Sequence, residues 1–191
     1  MNLKSFLIFL FYSILIFSYS KVMAYEEAQY KIVQKTDIYE IRNYPDRLAV
    51  QTTNADGNSS FRKLFNYISG KNKSNEKIQM TTPVTELEKQ GYMTMQFYLP
   101  SKFNKNNAPN PSRTDVEIVN IEGGHYAVIR YSGRASDNNF IKHKKILEEE
   151  LKKNNIIILS PAIKATYDGP FTLPMMRRNE AMFLVNWKLI K

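Results

Sequence analysis

The chain has 191 residues, a formal net charge of +9 at pH 7 and no cysteine, which excludes disulfides, thiolate metal sites, a cysteine nucleophile and a lipid-modified N-terminal cysteine. Its Lys and Arg residues are dispersed rather than massed. That balance suits anionic ligands or surfaces, while the absence of an RNP-type aromatic box or a sustained basic helix argues against nucleic acid.

The N-terminus reads as an export signal spanning residues 1–24. Lys4 supplies positive charge, Phe6 to Phe17 is an apolar run broken only by Tyr12 and Ser13, and Val22-Met23-Ala24 offers small residues at a cleavage site. A membrane-spanning helix needs about 20 apolar residues, and this run is shorter, so cleavage after Ala24 is favoured over a permanent anchor. No Arg pair precedes the run, which indicates the general secretion route, delivery to the periplasm or outside the cell, and acquisition of any cofactor there. Cleavage removes Lys4 and Lys21 and no acid, so the mature chain stays strongly basic. Its span, 25–191, is long enough for one domain with its own core, expected to be a monomer.

Alternation marks a strand over Asp37 to Tyr44, Tyr44-Pro45-Asp46 reads as a turn, and Arg47 to Thr53 as a second strand, so a hairpin is expected to open the domain. Asn58-Ser59-Ser60 offers helix caps, Phe61, Leu64, Phe65 and Ile68 share a helical face, and Gly70 is the stop. Strands follow at Lys77 to Glu86, where Pro83 implies an edge or bulge, and at Tyr92 to Leu99, where Met93, Met95, Phe97 and Leu99 share a face. Ser101 to Thr114 reads as a surface loop.

The order then repeats. Val116 to Ile121, a Gly123-Gly124 turn and His125 to Ser132 suggest a second hairpin; Ser136 to Asn154 is a longer helix with Phe140, Leu147 and Leu151 on one face; Ile156 to Tyr167 and Asn179 to Ile190 are strands. Ala49-Val50 and Ala127-Val128 hold corresponding hairpin positions, and Phe61 and Phe140 corresponding helix positions, at nearly equal separations in the chain. The pattern is an internal duplication of a strand-strand-helix-strand-strand unit (about 30–100 and 115–190), giving an α+β body with a helix on each half and a cleft between halves.

Six strings in order, Ile41-Arg42-Asn43-Tyr44, Phe65-Asn66-Tyr67-Ile68-Ser69-Gly70, Ile78-Gln79-Met80-Thr81-Thr82-Pro83-Val84, Phe97-Tyr98-Leu99-Pro100, Tyr167-Asp168-Gly169-Pro170 and Arg177-Arg178-Asn179-Glu180, resemble the SOUL haem-binding protein family over roughly Tyr30 to Leu189. The resemblance implies a distorted barrel of two repeated units flanked by two helices, and binding of haem or a related tetrapyrrole.

A macrocycle burying several hundred Å² of apolar surface gains on the order of 10 kcal/mol gross, of which association consumes a comparable share. Apolar burial alone is therefore compatible with micromolar binding, and iron coordination is an addition. Two histidines are present: His125 reads as an exposed turn residue, and His143 lies at the margin of the second helix's apolar face, a weak candidate metal ligand whose alternative is a partly buried histidine with a backbone partner. Met175 and Met176 rank first as pocket methionines, with Phe61, Leu64 and Tyr167 as further pocket residues. Arg177 and Arg178 are candidate propionate partners, against a structural pairing with Glu180 or Asp168; Arg62 and Lys63 are better read as a solvated helix face. No catalytic motif is recognisable. The alternatives to a binder are a small-molecule hydrolase or haem-modifying enzyme using Glu180 with Tyr167, by fold analogy only, and an interaction module with a vestigial pocket. Intact-mass measurement of exported protein is expected to place its N-terminus at or near Tyr25; material retaining Met1 to Ala24 would make that segment an anchor.

Overall fold

The computed structural model describes residues 25–54 and 59–187. The expected export signal, the cap position Asn58 and the end of the last expected strand lie outside them. Along the chain run β1 (Glu26–Glu27), β2 (Lys31–Lys35), β3 (Glu40–Tyr44), β4 (Arg47–Asn54), α1 (Ser60–Ile68), β5 (Thr81–Thr82), β6 (Val84–Lys89), β7 (Tyr92–Tyr98), β8 (Glu117–Ile121), β9 (Gly124–Tyr131), α2 (Asp137–Lys153), β10 (Ile157–Ile158), β11 (Ile163–Thr166), a 3-10 turn (Pro174–Met176) and β12 (Asn179–Asn186). The fold of the described residues is α+β: a curled antiparallel sheet in the order β2-β3-β9-β12-β11-β6-β7-β4-β8, with β10 added on β12, and two helices.

That order reads as a palindrome of the two repeats. Exchanging β3 with β8, β4 with β9, β6 with β11 and β7 with β12 maps the pairings β4–β7, β6–β7 and β3–β9 onto β9–β12, β11–β12 and β8–β4. The seam between halves is the β6–β11 pair, with Thr85 opposite Ala165. The duplication expected from the sequence is therefore present in the topology.

Two expectations need correction. Neither expected hairpin forms: β3 pairs with β9 and β4 with β8, so the first strand of each repeat crosses to the other half. A corner at Pro45-Asp46 and one at Gly123 look like hairpin turns in sequence, but they lie against each other instead. The Asp46 carboxylate accepts from the Gly123 backbone N–H at 2.7 Å and from the Asn120 amide at 3.1 Å. Second, Ala49 and Ala127 are not equivalent. Val50 packs under α1 and Ala127 under α2, and adjacent strand residues face opposite ways, so Ala49 and Ala127 occupy opposite faces. Ile129 is the residue that matches Val50, and the offset between those two equals the offset between Phe61 and Phe140.

Each helix is set by local chemistry and buried by one face. The Ser136 hydroxyl accepts from the Asn139 N–H at the start of α2, with Asp137 in its first turn and Lys152 and Lys153 in its last, charges that suit the helix dipole. Leu147 and Leu151, one turn apart, are fully buried with Ile41, Ala181 and Phe183. In α1 the buried face is Ser60, Leu64, Tyr67 and Ile68. It is rotated from the expected face, so that Phe61 and Phe65 stack on each other at 6.0 Å and stay half exposed. Gly70, with φ of +104°, lets the chain leave α1 in a left-handed conformation. The loop after β7 is tied over α1 by the Tyr67 hydroxyl, which donates to the Pro109 carbonyl at 2.7 Å.

The crossed corners make a direct prediction. A Cβ at Gly123 would sit 2.6 Å from the Tyr44 carbonyl oxygen and 2.8 Å from the Asp46 nitrogen, both backbone atoms. Gly123→Ala is expected to cost about 1–3 kcal/mol, measured by urea unfolding, with Gly169→Ala, where a Cβ meets nothing within 4 Å, as the near-neutral comparison.

Candidate functional site

Among the described residues, two places gather chemistry, one on each face of the sheet. On the face away from the helices, Glu180 of β12 is fully buried. Its Oε2 accepts from Arg42 Nη1 at 2.9 Å and from the Tyr167 hydroxyl at 2.7 Å; its Oε1 accepts from Arg178 Nε at 3.0 Å, with Arg178 Nη2 in ion-pair contact at 2.9 Å. Arg42 also reaches Glu40 at 2.8 Å, and Arg178 reaches Glu27 at 2.8 Å. The Arg178 guanidinium lies 3.7 Å over the Tyr167 ring, and Arg42 lies 4.4 Å over Tyr30.

This geometry sets the protonation states. Burial opposes charge on Arg42, but the adjacent Glu180 carboxylate outweighs it and its pKa is raised above the ordinary arginine value. Burial, then the charge of Glu180, pushes the Tyr167 phenol far up, so it stays a hydrogen-bond donor. Burial also pushes the neighbouring Tyr44 up to about 12. Both Glu180 oxygens are thus saturated by two cations and a phenol, an arrangement suited to bracing the sheet.

The second place is a cleft of about 1040 Å³ on the helix-bearing face, over the seam between halves. Met93 and Met95 of β7 line it from the first repeat; Phe140 and Ile141 of α2, Ile158 and Phe183 line it from the second. Its polar lining includes Glu86, Glu88, Asp137 and Glu148 with Lys144 and Lys164. Lys164 is paired with Asp137 at 2.9 Å and Glu86 at 3.6 Å, and Lys144 with Glu148 at 3.7 Å. Asp137 is largely exposed and Lys144 and Glu148 partly so, which makes their pairs weak and exchangeable, whereas Lys164 and Glu86 are more buried.

Of the sequence-derived candidates the structure brings Arg178 and Tyr167 together, on Glu180, and scatters the others. Leu64 is fully buried in the core beneath α1, out of a ligand's reach, and Phe61 is half exposed on the same helix. Met175 and Met176 are 78% and 70% exposed on the 3-10 turn and line none of the cavities described. Arg177 donates to the carbonyls of Thr172 and Pro170 at 2.8 and 2.6 Å, and Arg178 and Tyr167 belong to the Glu180 cluster. His143 stacks on Tyr131 at 4.0 Å, and its Nδ1 is 2.8 Å from the Asn139 carbonyl oxygen, the backbone-partnered arrangement weighed above. Lys63 bonds Asn54 at 2.7 Å and Asp115 at 3.0 Å, so it is engaged rather than freely solvated. Sequence reasoning passed over Arg42, Lys144 and Lys164. Arg42 sharing one face of the expected strand with Tyr44 was the available signal for the first; the lysines carried none, because only the β6–β11 seam brings them to the cleft.

The half-barrel of two crossed repeats, with a helix on each, defines the class of protein, and the comparisons agree with it. The family model described as SOUL heme-binding protein matches residues 25–184. The chain belongs to this family. It is similar to Heme-binding protein 2 of Mus musculus, at 31% identity, and of Homo sapiens, at 37%, each alignment covering 77% of this chain and 77% of the relative. Among solved structures it shares its fold with a hydrolase from Listeria innocua, at 10% identity and a TM-score of 0.54, over 81% of this chain and 94% of that one.

Removing the charge of Glu180 while keeping its shape would leave Arg42 and Arg178 each short of their buried carboxylate partner, with Glu40 and Glu27 as the remaining ones. Glu180→Gln is expected to destabilise the protein by about 3–5 kcal/mol in urea unfolding, whereas Arg177→Gln, which loses only bonds to loop carbonyls, should cost about 1 kcal/mol.

Proposed function

We propose that this protein is an exported, monomeric binder of haem or a related tetrapyrrole, held in the seam cleft chiefly by apolar burial. The observation that carries this reading is the cleft itself, whose apolar lining comes from both halves and whose size is at the upper end for small-molecule sites, roughly 300–1,000 Å³. Family membership and the names of the two relatives support haem as the ligand.

The residues present fit the group in two respects. Met93, Met95, Phe140 and Ile141 offer an apolar surface to the macrocycle, and Lys144 and Lys164 offer cations to propionates, exchanging their present carboxylate partners. Arg177 and Arg178 are less suited to that task, since their guanidinium groups hold the loop carbonyls and Glu180. Among the described lining residues there is no histidine; Met93 and Met95 are the soft side chains in reach. Bound haem would supply a redox-active iron and a Soret band, and the protein would supply burial and orientation.

Catalysis through Glu180 and Tyr167 is disfavoured by the same cluster. A general base needs a lone pair facing a substrate, and each Glu180 oxygen already accepts from an arginine. The fold shared with a hydrolase carries no activity at 10% identity.

Titration of the purified protein with monomeric ferric haem is expected to give a saturable Soret shift, one to one, at roughly micromolar strength. Ile141→Arg, at an exposed cleft position, should weaken binding about tenfold or more by placing a charge against the macrocycle, while His143→Ala should change it only about threefold or less. No saturable shift, or loss of binding in His143→Ala with Ile141→Arg unaffected, would overturn the reading.

A further inference from the structure

The segment from Gly169 to Arg177 runs between β11 and β12 and presents its apolar side chains to water: Phe171 is 98% exposed, Met175 78%, Met176 70% and Leu173 58%. Isolated exposed apolar residues are ordinary, but four on one short loop form a patch that asks for an occupant. We infer that this loop is a membrane-docking wedge that inserts Phe171 and Leu173 into the interfacial region of an anionic phospholipid bilayer.

Three features favour lipid. The first is that several of the loop's carbonyls are already engaged within the protein, which lowers the cost of bringing it beside hydrocarbon. The carbonyl of Pro170 accepts from Arg177 Nη2, that of Thr172 from Arg177 Nε, that of Gly169 from the Thr172 N–H, that of Leu173 from the Met176 N–H, and that of Pro174 from the Gly133 N–H. Pro170 and Pro174 carry no N–H to satisfy. The second is charge. Residues 169–177 contain no acid; the Arg177 guanidinium is bonded only to carbonyls, and the exposed Arg134, which shares a shallow hollow with it, makes no ion pair among the described residues. Two uncompensated cations beside an apolar tip, on a chain of net charge +9, complement anionic headgroups. The third is shape: Phe171 and Leu173 border only a shallow, open hollow with Arg134 and Arg177, so a fluid lipid surface can receive them without a deep matching pocket.

The loop is separate from the seam cleft, so the inference does not rest on the haem reading. Its test uses the protein as exported, with the N-terminus verified by mass and wild type and variant compared in the same form. Wild type is expected to cosediment with phosphatidylcholine–phosphatidylglycerol vesicles at low salt, and the double variant Phe171→Ser, Leu173→Ser to bind about tenfold or more weakly. Those side chains are exposed, so the variant should unfold at the wild-type temperature. In Phe171→Trp, tryptophan emission should shift to the blue on adding vesicles, whereas Trp187 in wild type should not respond. Equal vesicle binding by wild type and double variant, no binding by either, or loss in the double variant of a dimer seen for wild type would each overturn the proposal, the last by making a second copy the occupant.

Discussion

Glu180 is a carboxylate shut away from water that accepts three hydrogen bonds, from Arg42 on β3, Arg178 at the entry to β12 and Tyr167 just beyond β11. Through Arg178 it also holds Glu27, and with it the first described residues of the chain. A buried charge is tolerable only when its partners are all in place. The cluster therefore ties the position of three strands and the N-terminal segment to one another: moving any of them leaves an ion unpaired. The rest of the second half is arranged so that this does not happen.

The pseudo-symmetric position in the first half shows how specific that constraint is. Along one row across the sheet, Gln51 faces Gln96, Gln96 faces Thr85, Thr85 faces Ala165, Ala165 faces Glu180 and Glu180 faces Arg130. Where the second repeat has Glu180, the first has Gln96, which accepts from Thr85 and donates to Gln51 at 3.2 and 2.8 Å. One half thus satisfies its buried polar row with neutral side chains and the other with ions. Duplication supplied the frame, and the two copies filled it with different chemistry.

The crossing of β3 and β8 between halves has a functional consequence. Because β3 and β8 cross over toward opposite edges of the sheet and β6 pairs with β11 in its middle, the halves form one continuous sheet whose helices flank the seam. The space between α2 and the β6–β7 ribbon is the cleft. On the proposed reading, an apolar macrocycle fills that space while the exposed loop before β12 addresses the membrane. Haem is itself amphiphilic, and a binder that docks on a bilayer can meet it where it partitions.

Periodicity and local signals in the sequence were enough for the elements. Ser136, Leu147 and Leu151 define α2, and Tyr92 to Leu99 defines β7, because capping and burial of a single face are properties of neighbours in the chain. The six motif strings were enough for the family. Partner choice was not legible: Tyr44-Pro45-Asp46 and Gly123-Gly124 carry the residues of hairpin turns, but a corner and a hairpin differ only in which strand pairs across them, and that depends on contacts with the other repeat, far along the chain. For the same reason Arg178 looked equally able to meet a propionate or Glu180. A charged side chain's partner is whichever opposite charge the fold desolvates beside it, and only the tertiary structure brings Arg42 and Tyr167 to the same carboxylate and leaves Lys144 and Lys164 at the cleft.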